Sequence, residues 1–225
     1  MAMEPHDSLS YSSLKARQRQ IREGFPENLG LRVHRALSWL CRAEQESADA
    51  DARFLFLWIS MNAAYANEVH DRRRFSEIRV LLNFLERLIA MDRDRLLYGI
   101  VWQEFTGPIR MLINNRYVYR PFWDHQNGKT AEPWETGFES SKARMHRALG
   151  QMDTKKVLAV VFDRLYVLRN QLMHGGATWN GSVNRSQVAD GAAILGRLVP
   201  AVIHIMMESG EGYWGEPAYR VVPAV

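Results

Sequence analysis

Arg169, Asn170 and His174 are the residues of this 225-residue chain whose types and spacing best suit chemistry. They fall in the segment Arg164-Leu-Tyr-Val-Leu-Arg-Asn-Gln-Leu-Met-His-Gly-Gly176. A histidine, with an unperturbed pKa of about 6.5, gives or takes a proton near neutrality. An arginine is permanently charged, and its planar fork fits the oxygens of a phosphate. A neighbouring carboxamide can orient the histidine or touch the phosphate itself. Together the three suit proton transfer at a phosphate ester.

Their spacing sets a condition. Val157, Leu158, Val161, Leu165 and Leu168 recur at helical steps, and Gly175-Gly176 supplies a left-handed stop. The three side chains therefore belong to the last turns of a helix. Asn170 and His174 share a face, whereas Arg169 and His174 stand roughly 140° apart at 100° per residue. Within one chain they do not converge on one small atom. Convergence needs the reach of Arg169, fraying at the glycine stop, or a second copy of the chain. A plainer reading stands beside this one: the macrodipole favours a histidine in a last helical turn, and the asparagine bonds locally.

The remaining sequence predicts the helices that would hold this segment. Ser8 to Glu23 reads as a short exposed basic helix, and Pro26 interrupts it. From Leu29 to Cys41 apolar residues recur at three- and four-residue steps, leaving Arg32, Arg35 and Arg42 to the surface. Arg53 to Glu68 predicts a helix whose middle, Phe54 to Met61, is apolar all round and so deeply buried. Helices follow over 75–91 and 93–114, the second kinked at Gly107-Pro108. Tyr117 to Gly137, rich in aromatics and prolines with an Asn127-Gly128 turn, predicts an excursion loop with a short hairpin. Helices resume over 140–151, 154–174 and 187–208, and the Gly/Pro-rich tail folds back on the surface. No sustained alternation of period two occurs, so the class is all-α. The division is a basic extension over 1–28, a helical domain over 29–208, and a tail over 209–225.

Composition removes several functions. A 47% apolar share with 24% charged residues describes a globular chain. No apolar run reaches the roughly 18 residues of a membrane span, and residues 1–13 lack an apolar core for export. A cytoplasmic protein without a membrane partner is expected. With Cys41 the only cysteine, an internal disulfide and a cysteine zinc site are excluded. The seven histidines are scattered, so no catalytic metal and no cofactor are expected. Asn127-Gly-Lys-Thr130 imitates the end of a phosphate loop, but Trp123 stands where its first glycine belongs. Five of the 29 basic residues are lysine and 24 arginine. That bias suits phosphate, and it equally fits a GC-rich genome.

Arg169-Asn-Gln-Leu-Met-His174 resembles the R-x4-6-H motif of HEPN domains, including the polar residue after the arginine. Leu31-Arg-Val-His-Arg-Ala-Leu-Ser-Trp-Leu40, Phe54-Leu-Phe-Leu-Trp-Ile-Ser-Met-Asn-Ala-Ala-Tyr65 and Val183-Asn-Arg-Ser-Gln-Val-Ala-Asp-Gly191 also resemble blocks of bacterial HEPN proteins of this size. The resemblance implies an up-and-down helical bundle, here with extra helices, of a kind that often dimerises and brings two Arg/His pairs into one cleft. It implies a metal-independent endoribonuclease, in a toxin or phage-defence setting with a cognate antitoxin, or a silent relative that binds nucleotide, RNA or protein. Members modified by a nucleotidyltransferase antitoxin carry a tyrosine two residues after the histidine, where this chain has Gly176.

RNA scission without metal fits the residues. Attack by a ribose 2′-OH needs a base, an acid for the departing 5′-oxygen, and cations on the phosphorane between them. His174 would move protons, Arg169 would meet the phosphate, and Asn170 would orient. One histidine per chain cannot be base and acid at once, which favours a two-fold cleft. The run Arg72, Arg73 and Arg74, with the basic N-terminal helix, is a candidate for tracking an RNA backbone, and a solvated surface is its plainer reading. Arg164 is a candidate to join that positive patch, with an ion-paired surface role as its plainer reading. Asn62 either supports the cleft from behind or is a core amide satisfied by a neighbouring helix. Trp58 and Tyr65 read as core.

Overall fold

Three of the described α-helices start where a short polar side chain at the N-cap meets a free N–H group of the first turn. The computed structural model of the protein describes residues 9–66, 74–210 and 214–219. Among the described residues ten α-helices run in order as α1 (Tyr11–Ile21), α2 (Glu27–Glu44), α3 (Ala50–Tyr65), α4 (Arg74–Met91), α5 (Leu96–Gly99), α6 (Thr106–Asn114), α7 (Arg120–Gln126), α8 (Glu135–Gly150), α9 (Thr154–Met173) and α10 (Arg185–Glu208). No strand occurs among the described residues, so the all-α reading holds. Ser10 caps α1 in a reciprocal box with Ser13, Asp49 caps α3 through the Ala52 N–H, and Asp153 caps α9 through the Lys156 N–H.

The centre is a pair of long helices, α2 and α3, with α10 laid against both. Phe54, Leu57, Trp58 and Met61 of α3 are buried as the apolar run predicted, whereas Leu55, Phe56 and Ile59 of the same run are only half-buried. A short polar link joins the pair inside the core: the Ser60 hydroxyl donates to the Ala36 carbonyl at 2.7 Å. α10 has the length and apolar composition of a membrane-crossing helix, but most of it is buried within the bundle. Its approach to the core depends on Gly191. A Cβ there would lie 2.9 Å from Phe54 Cε2 and 3.0 Å from Leu165 Cδ2. Gly191→Ala would gain about 1 kcal/mol of helix propensity and lose about 1–3 kcal/mol to overpacking. A net loss of up to about 2 kcal/mol is expected, seen as a lower denaturation midpoint with an unchanged slope.

Several expectations change. α1 packs on α2 and α10 and buries Leu14 and Gln18, so the basic N-terminal helix is not simply exposed. Its Arg17 reaches Glu208 at 2.7 and 2.9 Å. Arg32, read as surface, is 0% exposed. Its guanidinium donates to the carbonyls of Ala64, Ala66, Gly215 and Glu216. Arg35 holds the Ala218 and Tyr219 carbonyls, and Trp214 packs edge-on against Phe84. The tail therefore does fold back, and on two arginines.

The single helix expected over 93–114 is three pieces. α5 begins at Arg95, whose φ is 55°, and the Asp92 carboxylate caps it by accepting from the Leu96 and Leu97 N–H groups, both at 2.8 Å. Burial pushes the Asp92 carboxyl above its ordinary range, against those two hydrogen bonds. A π turn over 100–104 leads to the break at Phe105, and Pro108 sits in the first turn of α6, where its missing N–H costs nothing.

The excursion is also helical rather than a hairpin. A 3₁₀ turn over 116–118 leads into α7, with Pro121 in its first turn, and α8 starts at Glu135. Gly128 turns with φ +67°, as the Asn127-Gly128 pair predicted. Phe122 is the hub, with Tyr117, Trp123 and Trp134 set edge-on to it at 5.0–5.5 Å.

Candidate functional site

Helix α9 presents the motif. Val157, Leu158, Val161, Leu165 and Leu168 are buried and fix which way the helix faces. At its end the His174 N–H bonds the Asn170 carbonyl at 3.0 Å, and Gly175 turns left-handed at φ +69°. Any L-residue at 175 would strain this stop. The chain then crosses to the start of α3. There Trp179 Nε1 donates to Asp49 at 2.8 Å, the Asn180 N–H bonds Asp51, and Arg185 grips Asp51 through two bonds of 2.6 and 2.8 Å. The motif's exit is thus fastened by two carboxylates. The Ala52 N–H, with help from Trp179, holds the Asp49 carboxyl below the ordinary carboxylate range.

His174 is exposed, and its imidazole makes no hydrogen bond among the described residues. Arg169 is half-buried. Its Nη1 donates to Asn170 Oδ1 at 2.9 Å, and its guanidinium carbon lies 5.7 Å from the centre of the Tyr166 ring. No carboxylate among the described residues pairs with it, and its buried Nε has no partner. Asn170 therefore orients the arginine, not the histidine. Arg169 and His174 share no hydrogen bond within one chain, as their angular separation implies.

The other predicted residues fare differently. Arg164 is 1% exposed and is not part of a surface patch. It lies 4.5 Å below the Tyr119 ring, donates to Ser141 Oγ at 3.1 Å, and approaches Asp163 at 3.6 Å. Its Nε and Nη1 have no hydrogen-bond partner, and burial lowers its pKa from the ordinary arginine value. A cation covered in this way meets no RNA backbone. Asn62 is half-buried on α3, and its amide bonds neither the motif nor a neighbouring helix. Trp58 and Tyr65 are core, against Phe162 and Phe84. Arg72, Arg73 and the side chain of Arg74 lie outside the described residues.

One residue of the motif escaped sequence reading. Gln171 donates through Nε2 to the Tyr117 carbonyl at 2.7 Å and accepts from Asn184 Nδ2 at 3.1 Å. It ties the end of α9 to the aromatic excursion and to the start of α10. Its partners lie 54 and 13 residues away, so no local pattern announces it. Among the described residues, no three side chains of His, Cys, Asp or Glu converge in a way that could hold a metal. No protein-family model, no curated protein and no solved structure matches the chain.

Proposed function

We propose that the protein is a HEPN-type endoribonuclease that cleaves RNA without metal and works as a homodimer. One observation carries the reading. A solvent-open histidine at a glycine-stopped helix end sits one turn beyond an arginine that has no carboxylate partner and whose fork is steered by an asparagine. In the reaction, the 2′-OH loses its proton to one imidazole and attacks the adjacent phosphorus. The 5′-oxygen leaves with a proton from the other chain's imidazole. Arg169 stabilises the dianionic phosphorane through its free N–H groups. Each chain supplies one histidine, so the two proton steps need two chains. Met173 and Trp179, 52% and 71% exposed beside the site, give such a pairing apolar surface to bury. A toxin or phage-defence role, with a cognate antitoxin as partner, is the setting this chemistry suits.

A second reading, RNA binding without scission, is favoured by the absence of any hydrogen bond between Arg169 and His174 within one chain. Incubation of the purified protein with total RNA in EDTA separates the two. Cleavage with 2′,3′-cyclic phosphate ends is the expected outcome. Activity that vanishes in EDTA and returns with magnesium overturns the mechanism, and binding without new ends favours the second reading.

A further inference from the structure

A groove of about 650 Å³ opens beside the motif, a size suited to a small ligand. It is lined by Met111 and Asn114 of α6, Arg116 and Tyr117 of the 3₁₀ turn, Phe138 of α8, and Gln187 of α10. No carboxylate lines it among the described residues. Asn114 and Gln187, one from each side, keep carboxamides that bond nothing else in the described chain. Arg116 has no carboxylate partner either; its guanidinium lies 5.1 Å over the Tyr117 ring and donates to the Tyr117 hydroxyl at 3.1 Å.

We propose that this groove is a nucleobase subsite, which holds one unpaired base of a single-stranded RNA beside the phosphodiester presented to His174. The inference rests on the nuclease reading above and adds a recognition element to it. Four features support a base over other occupants. Carboxamides offer a donor and an acceptor side by side, the pattern that pairs with base edges. The exposed Tyr117 ring and the Arg116 guanidinium plane are surfaces on which an unpaired base stacks, whereas Phe138 is buried against Tyr119 and Trp134. The uncompensated charge of Arg116 suits the phosphate attached to that base. The groove is also joined to the motif, because Gln171 bonds both Tyr117 and Asn184 of its lining and lies on the α9 face shared with His174, three residues on.

Fluorescence anisotropy with octamers of A, C, G and U, measured on the full-length His174→Ala protein so that nothing is cut, tests the idea. One homopolymer is expected to bind roughly tenfold more tightly than the others, the value of a good carboxamide–base pair. Adding Asn114→Ala and Gln187→Ala, which break no bond within the described chain, should shrink that preference to about twofold and leave weak general binding. Equal binding of all four, or a preference that survives both changes, overturns the subsite. So does sedimentation showing that the two changes dissociate a dimer, because a second copy then fills the groove. Selective binding by a wild-type protein that never cuts RNA retires the nuclease and upholds the subsite.

Discussion

Replacing His174 by alanine is expected to slow RNA cleavage by about a thousandfold, within the range that a positioned acid or base contributes. The imidazole is exposed and bonds nothing in the described chain, so the fold should be untouched, and the melting temperature checks this directly. Arg169→Ala should lose about a hundredfold or more through the phosphorane charge. Arg169→Lys should not restore it, since a point charge cannot replace a fork held by Asn170 at 2.9 Å. The decisive measurement mixes wild type with His174→Ala. Each cleft needs two histidines, so a mixed dimer lacks either its base or its acid, and activity should fall with the square of the wild-type fraction. Full activity in either single variant removes the site assignment, and a loss merely proportional to the wild-type fraction removes the two-fold cleft.

Arg32→Met should lower stability by about 3–5 kcal/mol, the cost of stranding the four backbone carbonyls that its guanidinium holds. Methionine fills much of the volume, so the loss would report hydrogen bonds and not a cavity. Two of the four carbonyls, those of Ala64 and Ala66, belong to the end of α3, where a helix has no partners of its own to offer. The other two, from Gly215 and Glu216, would face the same apolar methionine, which offers no donor. Each unpaired buried carbonyl costs about 1–3 kcal/mol. For a chain of this size the melting temperature should fall by about 10 °C or more. Arg35→Ala, whose partners are exposed or half-buried, should cost far less. A midpoint for Arg32→Met within about 1 kcal/mol of wild type would refute the clamp.

The contrast between Arg32 and the apolar face of α2 shows what the sequence makes legible. Leu29, Val33, Ala36, Leu37 and Leu40 are buried as their spacing predicts, because helical period alone decides which side of a helix meets a core. Arg32 and Arg164 were read as surface by the same logic, and both are buried. Their partners come from elsewhere: carbonyls of the tail for one, Ser141 and the Tyr119 ring for the other. Periodicity weighs a residue by its own polarity and carries no term for a remote acceptor. The excursion went unread for a related reason. Asn127-Gly128 marks a turn correctly, but whether the flanking residues pair as strands or coil is decided by the packing of Phe122 and its neighbours.

At the candidate site, the glycine stop and the helix-end position of His174 were legible because both are local. That Asn170 serves the arginine, and that Gln171 braces the helix end against the excursion, follow from rotamers and distant partners. Neither leaves a trace in spacing.

The way Arg32 and Arg35 hold the tail has an evolutionary corollary. Both read oxygens of the peptide backbone, which every amino acid carries. Most side chains there are consequently free to drift without weakening the latch, Gly215 with its φ of 78° and the wedged Trp214 excepted. A relative should keep the two arginines and that short signature while its remaining residues vary, whereas trimming the chain ahead of Trp214 would open the latch at a stroke.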